Sequence, residues 1–162
     1  MSKLSAALGE KYQSKRESIF TRSFELGGHT FKVRIPSVAE SDGIYQRVMN
    51  PTDEQIEALY KTISEPLLKF KDEPIQESGV EYLENDVIVQ GRSMREAARN
   101  KAMTEARITE YIKLLIPESA EYSMADITYA DIDLEFPLAI QLNLVEKIAE
   151  VISPSYKESR GN

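Results

Sequence analysis

The chain has 162 residues, of which 41% are apolar and 29% are charged, and it contains neither Cys nor Trp. This length suits one domain or two small ones. Without cysteine there is no disulfide framework, thiolate zinc site or cysteine nucleophile, and the composition favours a reducing cytoplasm. No stretch approaches the roughly 20 apolar residues that a membrane span needs, so we predict a soluble globular protein.

The charge is distributed unevenly along the chain. Overall, 20 basic and 27 acidic residues give a net charge of −7 and a pI near 4.9, which argues against nucleic-acid binding by the bulk of the protein. Residues 1–36 nevertheless hold seven basic and three acidic residues. Such a basic arm could meet an acidic partner or the acidic body of another copy, although a solvated helix face is the simpler interpretation.

Two alternating runs around a double glycine predict a β-hairpin. The runs occupy residues 23–26 and 29–35, and the glycines at 27–28 supply the positive φ angles of a two-residue turn. This register places Phe24 opposite Phe31 on one face of the hairpin. The first quarter of the chain is therefore predicted to contain a two-stranded sheet.

The remainder of the chain has mainly helical periodicity. Capping-box patterns begin at Ser37, Thr52 and Ser93. Pro66 predicts a kink or a break in the helix that follows Thr52, and Gly9 weakens an N-terminal helix. The predicted helices cover residues 2–20, 37–50, 52–70, 93–116 and 137–152.

Together these elements predict the α+β class, with an N-terminal β-hairpin followed by a mainly helical body. Residues 72–79 are predicted to form a loop, and residues 80–89 either a second hairpin or a loop with one short strand. We predict an N-terminal helix or arm over residues 1–20, a single α+β domain over 21–153 and a flexible polar tail over 154–162.

The best metal candidate is a set of carboxylates just before the last helix, Asp126 with Asp131, Asp133 and Glu135. If residues 131–135 form a strand, Asp131, Asp133 and Glu135 point the same way and could hold Mg²⁺. A half-buried strand with a solvated acidic face is the simpler interpretation. A metal-dependent hydrolase built on these residues is therefore a minor hypothesis.

Other candidate chemistry is sparse. The sequence has no nucleophile, phosphate-loop, zinc or calcium motif, and a lone histidine such as His29 is more often structural or solvated. Arg92, Arg95 and Arg99 lie at helical spacing and could clamp a phosphate or a carboxylate, but a solvated face is the simpler interpretation. We therefore predict a protein that is not an enzyme and that has no cofactor or metal.

Two apolar helix faces are the best candidates for binding another protein. The last predicted helix has an unusually wide apolar surface, so it is either deeply buried or shared with a partner. The helix that follows Thr52 carries a strong apolar stripe as well. The candidate partner-binding residues are Ile56, Leu59, Tyr60, Ile63, Leu142, Val145, Ile148 and Ile152.

Both ends of the chain resemble a known family. The segments are Leu4-Ser-Ala-Ala-Leu-Gly-Glu-Lys-Tyr12, Phe24-Glu-Leu-Gly-Gly-His-Thr-Phe-Lys-Val-Arg-Ile-Pro36 with Ala39-Glu40, and residues 136–162. They resemble the corresponding parts of tail assembly chaperones from long-tailed bacteriophages. The resemblance implies a non-enzymatic factor in the host cell cytoplasm that binds the tape measure protein and keeps it soluble.

The same resemblance implies which other partners to expect. Members of the family help to recruit tail tube protein and are absent from the finished virion. Self-association would hide apolar surface before a client arrives, so a homo-oligomer is one state that we consider, whereas nucleic acid and membrane are not expected partners. The main alternative is a structural tail completion or head–tail connector protein, which would remain in the particle.

Overall fold

The computed structural model describes residues 2–72 and 79–153. Of these residues, 59% are helical and 14% lie in strands. This confirms the predicted α+β class, with an N-terminal β-hairpin followed by a mainly helical body. The predicted tail, residues 154–162, and most of the predicted loop at 72–79 lie outside the described residues.

The chain divides into two compact units. The first comprises residues up to Asp42 and from Ile108 onward, and the second runs from Gly43 to Arg107. The limits proposed for an arm (1–20) and a single domain (21–153) remain predictions. In chain order, the elements are α1 (Lys3–Ile19), β1 (Thr21–Leu26), β2 (His29–Arg34), α2 (Val38–Met49), α3 (Asp53–Leu68), β3 (Val80–Tyr82), β4 (Val87–Val89), β5 (Arg92–Ser93), α4 (Met94–Ile112), α5 (Tyr129–Glu135) and α6 (Leu138–Ile152).

Strands β1 and β2 form the antiparallel hairpin that the sequence predicts. Gly27 and Gly28 both have positive φ, 61° and 82°, a conformation that glycine adopts more readily than other residues. Phe24 pairs with Phe31 as expected, and their rings stack with centroids 5.2 Å apart. The double-glycine turn therefore fixes the register that brings these aromatic side chains together.

Helix α6 packs against both strands of the hairpin in the first unit. The segment after α4 runs beside β2, because the N–H of Arg34 donates to the carbonyl of Leu114 (2.9 Å) and that of Ile116 donates to the carbonyl of Lys32 (2.8 Å). The buried apolar side chains of this unit are Phe24, Val33, Ile108, Ile112, Leu114, Ile132, Leu144, Val145 and Ile148.

Helix α1 is interrupted at Gly9, as the sequence suggests. Gly9 has φ 89° and ψ 178°, which is not helical, and no residue of α1 is buried. The Ser2 side chain caps the helix by accepting from the N–H of Ser5 (3.0 Å), and the Gln13 side chain donates to the Ser5 carbonyl (3.1 Å). The helix thus consists of two short segments on either side of Gly9.

In the second unit, α3 begins with the capping box predicted at Thr52. The Thr52 hydroxyl accepts from the N–H of Gln55 (3.1 Å), and the Gln55 side chain accepts from the N–H of Thr52 (2.9 Å). The helix contains Pro66 and ends at Leu68, so it is not broken at the proline.

Residues 80–89 form the second hairpin rather than a loop. Strands β3 and β4 pair antiparallel, and β5 pairs with the other edge of β4. The Tyr82 hydroxyl donates to the carbonyl of Leu67 (2.5 Å) and so connects this sheet to the end of α3. The Ser93 hydroxyl accepts from the N–H of Glu96 (3.1 Å), which confirms a cap at the predicted start of α4.

Candidate partner-binding surface

One face of α6 is buried against the hairpin and anchored by a polar group. Gln141 is fully buried, and its side-chain oxygen accepts from the Tyr129 hydroxyl (2.8 Å). Its amide nitrogen donates to the carbonyl of Phe136 (2.8 Å) and to the Asp133 carboxylate (3.3 Å). These bonds satisfy a buried amide that would otherwise be costly, and they attach α5 to the first turns of α6.

The edge of α6 beside that buried face carries exposed leucines. Leu138 is 56% exposed and Leu142 is 47% exposed. These two residues and Glu146 are each four positions apart, so they follow one another along the helix surface. We call Leu138, Leu142 and Glu146 the α6 stripe. Leu134, four residues before it in α5, is 90% exposed.

The surroundings of the α6 stripe are acidic. Residues 114–146 contain seven acidic residues and no basic one. Most of these carboxylates are exposed, including Asp131, Glu135 and Glu146. The first unit therefore combines exposed large apolar side chains with a negative local charge, and a basic, amphipathic segment complements such a surface.

The four candidate residues in α6 do not share one environment. Val145 and Ile148 are buried, and α6 packs against both strands of the hairpin. They are therefore not accessible to a partner in this structure. Leu142 is exposed, and Ile152 is partly buried. Whether the accessible members bind a partner remains a prediction.

The four candidate residues in α3 belong to the second unit and are more enclosed than the α6 stripe. Tyr60 is buried, and Ile56, Leu59 and Ile63 are partly buried. The guanidinium of Arg95 covers the Tyr60 ring at 4.0 Å from its centroid. Only part of each of these side chains is accessible to a partner. Whether these four residues bind a partner remains a prediction.

Sequence reasoning omitted Leu134 and Leu138 from the candidate set, although they are among the most exposed large apolar residues. Leu138 could have been found from its spacing of four residues to Leu142. Leu134 was hidden by the strand predicted over residues 131–135, in which it would alternate with the carboxylates and face inward.

That predicted strand is wrong, because residues 131–135 lie in helix α5. Thr128 and Asp131 form its capping box, a Thr-x-x-Asp pattern that signals a helix start. The N–H of Thr128 donates to Asp131 (2.9 Å), and this bond lowers the pKa of the Asp131 carboxyl. Because helical residues rotate by about 100° each, Asp133 points away from Asp131 and Glu135. Within residues 2–72 and 79–153, no three potential metal ligands are arranged to hold an ion.

Two of the three arginines considered as an anion clamp, Arg95 and Arg99, have other partners. Arg95 forms an ion pair with Glu57 at 2.6 Å, a hydrogen bond that lowers the pKa of Glu57 and raises that of Arg95. The Arg99 side chain donates to the carbonyl of Met49 (3.2 Å). These contacts stabilise the second unit. They also direct the Arg95 and Arg99 side chains to different partners, so the two do not converge on one anion.

The remaining candidate features for chemistry are His29 and the groove beside α1. The His29 ring meets the edge of Phe31 with centroids 4.6 Å apart. The groove has a volume of about 650 Å³ and is lined by α1 and Phe20, with Arg16 as its charged residue. Neither feature brings an acid, a base and a nucleophile together.

Among the described residues, no helix has both the length and the apolar character required to cross a bilayer. No protein-family model, curated protein or solved structure matches the chain significantly. A function must therefore be argued from the surface described above and from the resemblance at the two ends of the chain.

Proposed function

We propose that this protein is a non-enzymatic phage tail assembly chaperone that acts in the host cytoplasm. It binds the tape measure protein, keeps it soluble and promotes assembly of tail tube protein around it. The proposal draws its family from the resemblance of residues 4–12, 24–36 and 136–162. The observation that carries it is the pair of exposed leucines, Leu138 and Leu142, on an acidic surface.

Exposed leucines on a charged body suit a holding chaperone. Fully burying a leucine side chain against a client contributes about 1.5–3 kcal/mol, so a few such contacts are enough for reversible binding. Carboxylates such as Glu135 and Glu146 remain hydrated around the contact and keep the loaded complex soluble. Binding of this kind needs no catalytic residue.

The accessible surface narrows the proposed contact set. Leu138 and Leu142 contact the client, and the exposed Leu134 of α5 is a further candidate, whereas Val145 and Ile148 are buried and support the helix. In the second unit, the exposed edges of Ile56, Leu59 and Ile63 would form a separate and weaker contact.

The test is co-expression with the tape measure protein of the same phage. We expect the client to move from the insoluble to the soluble fraction and to co-elute with the chaperone in gel filtration. Leu138→Ser with Leu142→Ser should lower client recovery at least about tenfold, since two buried leucines are lost. Leu83→Ser is the matched control, because Leu83 is 52% exposed in the second unit.

Two outcomes contradict the proposal. Unchanged client solubility with no complex in gel filtration removes the chaperone role. Detection of the protein in purified virions by mass spectrometry favours a tail completion or head–tail connector protein instead, because an assembly chaperone leaves the particle.

A further inference from the structure

Among the described residues, helix α1 is stabilised by local contacts such as the Ser2 cap and the Gln13–Ser5 hydrogen bond, and not by a buried face. It has 17 residues and none of them is buried. Gly9 divides it into segments 3–8 and 10–19, and isolated helices shorter than about 12–15 residues are marginal in water. Most helical stability in proteins comes from packing an apolar face. The apolar face of α1 is therefore available to pack on a further surface.

That face consists of two leucines beside basic residues. Leu4 is 67% exposed and Leu8 is 52% exposed, and their spacing of four residues puts them on one side of the first segment. In the sequence, Lys3 precedes the pair, and Lys11 follows it on the other side of the Gly9 interruption. The whole of α1 has four basic and two acidic residues.

The α6 stripe is the complement of this face in spacing and in charge. Leu138 and Leu142 have the same spacing as Leu4 and Leu8, and rows of residues four apart are the ridges that interlock in helix packing. Glu146 follows the leucines of α6, whereas Lys11 follows those of α1. Helix α1 is basic overall, whereas the α6 stripe lies in an acidic segment, so opposite charge favours their docking.

We infer that α1 of one copy docks on the α6 stripe of a second copy. In a single chain both pairs of leucines remain largely exposed, so they do not cover one another. When α1 of each copy docks on α6 of the other, two identical contacts form and the dimer has closed two-fold symmetry. A second copy is the favoured occupant because each chain carries both complementary faces.

This inference does not depend on the proposed chaperone role, because it concerns the protein alone. If both hold, α1 of the second copy covers the leucines that the client needs, and the client must displace it. Variants of α1 then weaken the dimer without weakening client binding, which distinguishes failure of one proposal from failure of the other.

The first test is sedimentation equilibrium of the full chain over a series of concentrations. We expect a monomer–dimer equilibrium. Leu4→Ser with Leu8→Ser should raise the dimer Kd at least about tenfold, as should Leu138→Ser with Leu142→Ser, because each pair removes apolar contact from both docking sites. Leu83→Ser should leave the Kd unchanged.

The second test reverses charges. Lys11→Glu and Glu146→Lys should each weaken the dimer several-fold, by introducing like-charge repulsion at both sites. The two changes in one chain should restore most of the wild-type affinity.

Each variant alters an exposed side chain, so matching circular dichroism spectra and melting curves verify that the fold is intact. A protein that stays monomeric at every concentration overturns the inference. A dimer that tolerates both leucine pairs, or charge reversals that do not rescue one another, overturns it equally.

Discussion

At the scale of single residues, Asp86 organises the second unit through one carboxylate. One oxygen accepts from the N–H of Val87 (2.8 Å) and from that of Arg95 (3.1 Å). The other oxygen accepts from the Ser93 hydroxyl. A single side chain thus connects the β3–β4 turn with β5 and the start of α4.

These bonds make the stability of the second unit sensitive to acid. Desolvation alone would raise the pKa of Asp86, but the hydrogen bonds from Ser93, Arg95 and Val87 outweigh it, and the pKa lies below its ordinary value of 3.8. The folded state therefore binds this proton less tightly than the unfolded state. The stabilisation is complete well above pH 3.8 and is lost as the pH falls through the folded-state pKa.

We expect Asp86→Asn to flatten the pH dependence of stability below about pH 4, because an amide keeps hydrogen-bonding capacity without titrating. Urea unfolding from pH 7 down to pH 3 measures this. Asp86→Ala should cost about 1–3 kcal/mol at pH 7, since it leaves backbone donors without an acceptor. Glu84→Gln, an exposed change in the same turn, is the control. An unchanged slope in Asp86→Asn would contradict this role.

At the scale of elements, α6 has two faces with different energetic roles, and two leucines on it provide a matched test. Leu144 is fully buried, whereas Leu142 is on the exposed edge. Leu144→Ala should destabilise the protein by about 2–5 kcal/mol, because it leaves a cavity beneath the hairpin. Leu142→Ala should change the free energy of unfolding by less than about 0.5 kcal/mol.

Chemical denaturation of both variants measures these changes in the free energy of unfolding. Equal losses of stability would mean that the buried and exposed faces of α6 have been assigned incorrectly. A large loss for Leu144→Ala alone would support the packing of α6 on the hairpin.

Local signals predicted those elements whose geometry is decided by neighbouring residues. The Gly27-Gly28 turn fixes the hairpin register, and the Thr52 capping box fixes the start of α3, without help from distant parts of the chain. Helix α5 was missed because alternating carboxylates in a short segment suit a strand as well as a helix. The capping pair of Thr128 and Asp131 resolves that ambiguity in favour of the helix.

The candidate surface was less predictable than the fold, because accessibility depends on which element covers which face. Helix α6 is apolar around most of its circumference, so its sequence cannot tell whether Val145 or Leu142 faces the core. The hairpin decides this by packing on one face. The sequence therefore located the helix but mixed buried and exposed residues within its candidate set.

At the scale of the whole molecule, net charge opposes association through the exposed leucines. The net charge is −7 at pH 7 and vanishes near the pI of about 4.9, where mutual repulsion between copies is lost. We expect a solubility minimum near pH 5 with an unchanged far-UV circular dichroism spectrum, because this pH lies above the acid range in which Asp86 is protonated.

Near pH 5, apolar association between copies then limits the solubility. We expect the α6 stripe to contribute most to this association. Leu138→Ser with Leu142→Ser should raise the solubility at pH 5, whereas Leu83→Ser, with comparable exposure, should have a smaller effect. Solubility measured across pH 4.5–7.5 tests this, with the spectrum recorded at each point. Precipitation that coincides with loss of helical signal would instead point to unfolding. An equal effect of the control would show that the α6 stripe has no special role in association.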